Sequence, residues 1–72
     1  MELKNYIKLA RVKANDLTQQ QLADLVGCSR QTINSIEKGK FNPSIRLVLQ
    51  LSKVLSTTVE ELFYIDDMED SE

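Results

Sequence analysis

A chain of 72 residues and 8.2 kDa has room for one small domain with a thin core, and its 42% apolar and 28% charged residues exclude a disordered chain. Eleven acids outnumber nine bases, but Asp66, Asp67, Glu69, Asp70 and Glu72 crowd into the last seven residues; residues 1–65 keep nine bases against six acids, a net +3, which does not argue against an anionic partner. With no His and one Cys, a His-based triad, a Cys/His metal site and an internal disulfide are excluded, and the lone thiol favours a reducing, cytoplasmic setting.

Taken in chain order, Ile7, Ala10 and Ala14 recur at spacings of three and four and predict an amphipathic helix over 5–14, ended by Asn15-Asp16. Thr18 and Gln21 form a capping box, and Leu17 and Leu22 take the N′ and N4 positions of a hydrophobic staple, so a second helix starts there. It buries Leu22, Ala23 and Val26 and stops at Gly27, the residue best suited to a left-handed C′ position. Ser29 caps a third helix ending at Gly39. Residues 18–38 therefore have a helix-turn-helix layout.

Asn42-Pro43-Ser44 opens a fourth helix, with Pro43 near N1 and either Asn42 or Ser44 as the cap. Its polar residues Arg46, Gln50 and Lys53 keep to a stripe about 60° wide, and apolar side chains from Ile45 to Leu55 cover most of the rest. So apolar a helix is expected to be buried on more than one side, and the surplus face suggests a subunit contact. Thr58 and Glu61 form a second capping box, starting a short fifth helix through Leu62 and Phe63. Phe63-Tyr64-Ile65 is β-prone and able to leave that helix as a short strand. The expectation is an all-α domain over residues 1–65, followed by an acidic, disordered tail at 66–72.

The chemistry lies in the third helix, residues 29–38. Ile33 and Ile36 point one way on a helical wheel; Gln31, Ser35 and Lys38 lie roughly opposite, flanked by Arg30 and Asn34. Arg grips guanine O6/N7 with two bonds, and Gln or Asn grips adenine N6/N7, so these side chains suit major-groove reading. A solvated helix face is also polar, but such faces tend to pair Glu with Lys. From Arg30 to Arg46 four bases face one acid, Glu37. Gln19 and Gln20 at one helix N-terminus, and Lys38, Lys40, Asn42, Ser44 and Arg46 around another, supply phosphate-binding groups where free N–H groups attract anions.

The runs Ile7-Lys8-Leu9-Ala10-Arg11, Leu17-Thr18-Gln19-Gln20-Gln21-Leu22-Ala23 and Val26-Gly27, and the segment from Ser29 through Lys40 with Asn42-Pro43-Ser44, resemble the Xre/Cro family of λ-repressor-like helix-turn-helix DNA-binding domains. The resemblance covers roughly residues 5–65 and is greatest to compact, stand-alone regulators. It implies five helices, a homodimer on a two-fold operator of double-stranded DNA, and the third helix in the major groove. By position, Arg30, Gln31, Asn34 and Ser35 would face bases. Gln19, Thr32, Lys40, Asn42 and Ser44 would contact phosphates, joined by Lys38 and Arg46 from the basic run. Arg11 and Glu37 match the family's buried ion pair. The loop from Arg11 to Thr18 is one residue longer than in many relatives, and Phe41 replaces a common Tyr. Some compact relatives dimerise through a terminal β-ribbon, for which Met1–Lys4 and Phe63–Asp67 are candidates.

Function is thus expected to be sequence-specific transcriptional regulation, as a repressor, with no cofactor. An antitoxin that uses the same DNA head and also binds a toxin protein is the alternative. No nucleophile, base and orienting group can be assigned for an enzyme. The longest apolar-rich stretch, Leu47 to Leu51, falls far short of the ~18 residues of a membrane span. Cys28 in the turn is assigned to packing rather than redox sensing.

Overall fold

Caps and apolar spacings set the element order of the computed structural model, which describes residues 2–66: β1 (Glu2–Asn5), α1 (Ile7–Lys13), α2 (Gln19–Val26), α3 (Arg30–Glu37), α4 (Ile45–Val54), α5 (Val59–Leu62) and β2 (Phe63–Asp66). The five helices expected are present. The first is shorter than 5–14, because residues 2–5 extend and pair antiparallel with 63–66, Leu3 opposite Ile65 and Lys4 opposite Tyr64. A terminal ribbon therefore forms within one chain. Tyr6 and Tyr64 stack beside it, ring centroids 4.9 Å apart.

Both capping boxes form: the Thr18 hydroxyl accepts from the Gln21 N–H while the Gln21 amide oxygen accepts from the Thr18 N–H, and Thr58 and Glu61 repeat the arrangement. Gly27 closes α2 in the left-handed region at φ 77°. Asn15 and Asp16, at φ 61° and 56°, turn the chain out of α1. Of the two candidate caps for α4, Ser44 fills the role by accepting from the Leu47 N–H. Two details differ from expectation. Pro43 precedes that cap, so N1 is left to Ile45. The fifth helix ends at Leu62, because Phe63 is already extended and begins β2. Asp66, assigned to the tail, is the last residue of β2; the remainder of that segment, 67–72, lies outside the described residues.

The core draws one face from each helix: Ile7, Leu22, Ala23, Val26, Ile33, Ile36, Leu51, Leu55 and Leu62. Ile33 and Ile36 root α3 in it, which turns the opposite side of that helix outward. Burial of α4 is one-sided in the single chain. Val48 and Leu51 are buried, whereas Ile45 and Leu49 remain 71% and 55% exposed.

Candidate nucleic-acid interface

The outer side of α3 is built by its N-cap and its two buried isoleucines. Ser29 accepts from the Thr32 N–H at 3.1 Å, starting the helix immediately after the Gly27-Cys28 turn. Arg30 and Gln31 are then exposed in the first turn, with no side-chain hydrogen bond among the described residues. Their donors and acceptors are free for a ligand. Ser35 is half-buried one turn further on.

Asn34, on the flank facing α2, is held. Gln19 Nε2 donates to Asn34 Oδ1 at 3.2 Å and to Glu37 Oε1 at 3.0 Å. Glu37 in turn receives Arg11, whose Nε donates to Oε2 at 2.8 Å and whose Nη2 donates to Oε1 at 3.2 Å. The third arm of the fork, Nη1, donates to the Leu17 carbonyl at 2.8 Å and pins the loop after α1. Only 11% of the Arg11 side chain and 7% of the Glu37 side chain are exposed. A bidentate pair that dry is oriented by two parallel bonds. The longer loop between Arg11 and Thr18 does not prevent it.

A further tie escapes the sequence pattern. Asn5 Nδ2 donates to the Ile36 carbonyl at 2.8 Å, and Asn5 Oδ1 accepts from the Ile7 N–H at 3.1 Å. One side chain thus joins the end of β1, the start of α1 and the C-terminal turn of α3. Nothing in the local spacing marks Asn5, because its partner lies 31 residues away.

The groups assigned to phosphates fall into two sets. Lys38, Lys40, Asn42, Ser44 and Arg46 are all exposed, from the end of α3 to the start of α4. Gln19 is half-buried, and both N–H groups of its amide are spent on Asn34 and Glu37. Thr32 is also half-buried, its hydroxyl 2.9 Å from that of Ser29. Cys28 packs against the core, and burial pushes its thiol pKa up, the opposite of a reactive thiolate. No helix among the described residues is long and apolar enough to cross a membrane.

Comparison with known proteins agrees with this geometry. The helix-turn-helix family model matches residues 7–62. An uncharacterised HTH-type transcriptional regulator of Methanocaldococcus jannaschii is 43% identical over 67 residues, 93% of this chain and the whole of that relative. The uncharacterised HTH-type transcriptional regulator YgzD of Bacillus subtilis is 35% identical over 65 residues, 90% of this chain and 97% of that one. Among solved structures, the restriction-modification controller protein C.AhdI of Aeromonas hydrophila superposes with a TM-score of 0.68 at 31% identity, over 76% of this chain and 82% of its own. These comparisons give the antitoxin alternative no support.

Proposed function

This chain belongs to the helix-turn-helix family of DNA-binding transcriptional regulators, Xre/Cro-like in its motif, and from that premise we propose that it represses transcription by binding a two-fold operator as a homodimer, with α3 in the major groove. One observation carries the reading: Arg30 and Gln31 present unpaired, base-complementary groups on a helix whose far end is fixed by a buried ion pair. Arg30, Gln31, Asn34 and Ser35 read base edges. Lys38, Lys40, Asn42, Ser44 and Arg46 neutralise or hydrogen-bond phosphates along one side of the reading helix, with Thr32 at its edge.

Gln19 contributes to this work through a changed role. With both amide hydrogens engaged, it orients Asn34, and the free N–H groups at the start of α2 are left to meet a phosphate. Dimerisation is supported by the exposed Ile45 and Leu49 on α4, and by the outer edges of the ribbon. Such a dimer reads half-sites about 34 Å apart, one turn of duplex. The setting is the cytoplasm, where a free Cys28 stays reduced.

The test is selection of bound duplexes from a random pool, followed by titration of the winning duplex. Arg30→Ala and Gln31→Ala relax sequence choice, each lost bidentate contact being worth about 1–3 kcal/mol of discrimination. Lys40→Ala weakens every duplex alike and flattens the salt dependence. Equal losses on all sequences for Arg30→Ala overturn the assignment of α3. Sedimentation that finds only monomer, with and without the duplex, overturns the dimer.

A further inference from the structure

Beside the reading face, the turn after α3 folds back so that Phe41 and Lys40 close an open recess of about 310 Å³ with Ser29, Gln31, Thr32 and Ser35. Five of the six lining residues are polar or charged. Phe41 is the exception, and 47% of it is exposed. A half-exposed phenyl ring next to a side chain assigned to base reading gains by burial against an apolar group of whatever docks there. Duplex DNA offers one such group in its major groove, the C5-methyl of thymine, and Phe is among the side chains that contact it.

From this juxtaposition we infer that the recess is a thymine-methyl subsite, with Phe41 as its apolar wall and Gln31 and Ser35 as its polar floor. The inference rests on the DNA reading above and adds a specificity residue outside α3. Lys40 fixes the strand by its phosphate while Phe41 covers the methyl of a base on that strand. No hydroxyl stands on this ring to hold a phosphate, so the position reads the base by contact alone. A thymine is preferred there over a cytosine, which lacks the methyl, and over an adenine or guanine, which carries no methyl at that point of the groove.

Uracil differs from thymine by that methyl alone, which makes the test direct. The duplex selected by the full chain is remade with each thymine replaced singly by deoxyuridine, and binding is titrated for the wild-type chain, Phe41→Ala and Phe41→Leu. At one position per half-site, uracil is expected to weaken wild-type binding about fourfold, the value of one buried methyl. Phe41→Ala then binds the thymine and uracil duplexes equally, and Phe41→Leu keeps most of the discrimination. A wild-type chain indifferent to uracil at every position overturns the subsite while leaving the DNA reading intact. So does a Phe41→Ala chain that keeps the full uracil penalty. Failure of the pool to yield any preferred sequence overturns the DNA reading and the subsite together.

Discussion

Removal of Arg11 is the sharpest perturbation of the proposed reading head. In Arg11→Met the Glu37 carboxylate, 7% exposed, keeps only the Gln19 amide as a donor, at 3.0 Å. Breaking a buried pair from one side leaves an uncompensated charge and costs about 3–5 kcal/mol. The Leu17 carbonyl loses its donor as well. At roughly 0.05–0.15 kcal/mol per residue, a chain of 72 residues has about 4–11 kcal/mol in total, so this one side chain decides whether much of the population is folded. Glu37→Leu strands the Arg11 guanidinium, 11% exposed, in the same way and costs about 3–5 kcal/mol, the Leu17 carbonyl being the one acceptor left to it.

The double variant Arg11→Met/Glu37→Leu discriminates between explanations. It removes both charges, so no ion is stranded, and its expected cost is about 1–2 kcal/mol for the Leu17 and Gln19 groups left without partners. Urea unfolding followed by far-ultraviolet circular dichroism gives the three free energies and the coupling between the two sites. Additive costs refute the reasoning, as does an Arg11→Met penalty below about 1 kcal/mol, the value of a surface pair.

Three other outcomes are expected. Asn5→Asp keeps the acceptor for the Ile7 N–H but sets a carboxylate against the Ile36 carbonyl; a stability loss of about 1–3 kcal/mol in urea unfolding, larger than that of Lys4→Ala, checks the tie. Gly27→Ala costs about 1–2 kcal/mol from its left-handed backbone alone, since no atom lies within 4 Å of the added Cβ, and the selected duplex stays the same. At Cys28, burial raises the thiol above its ordinary pKa of 9.0, so the native state holds a proton that the unfolded chain releases. The stability difference between wild type and Cys28→Ala is therefore flat below that ordinary value and shrinks as pH rises through the raised one, which unfolding curves across alkaline pH measure.

What the sequence made legible was whatever is written in local order. Thr18 with Gln21, Thr58 with Glu61, Gly27 after Val26, and the paired isoleucines of α3 each carry their reason within about one helical turn. Boundaries slipped where a distant partner overrode the local pattern. Asn5 and Tyr6 read as the start of a helix until residues 63–66 pair with 2–5 and draw the N-terminal segment into a strand. Phe63 ends α5 for the same reason. Ile45 and Leu49 show the opposite case, an apolar pattern that one chain does not bury. The family resemblance, and not periodicity, supplied the pairing of Arg11 with Glu37. It supplied neither Asn5–Ile36 nor Gln19–Asn34, since both depend on how segments remote in sequence meet.

The Gln19–Asn34 link also constrains the base reading proposed for Asn34. Bidentate recognition of adenine needs one acceptor and one donor from the same amide. Asn34 Oδ1 has two lone pairs, of which Gln19 takes one, and its Nδ2 hydrogens remain available. Reading is therefore compatible with the link, and the link fixes which way the amide points. Gln19 is itself fixed by Glu37, and Glu37 by Arg11. A chain of four side chains thus leads from the first helix to the amide proposed to read a base, and it starts from a charge pair that solvent barely reaches. The ordering cost of Asn34 is met when the protein folds and not when DNA binds, so losing Gln19 loosens adenine discrimination at one position without touching Arg30 or Gln31.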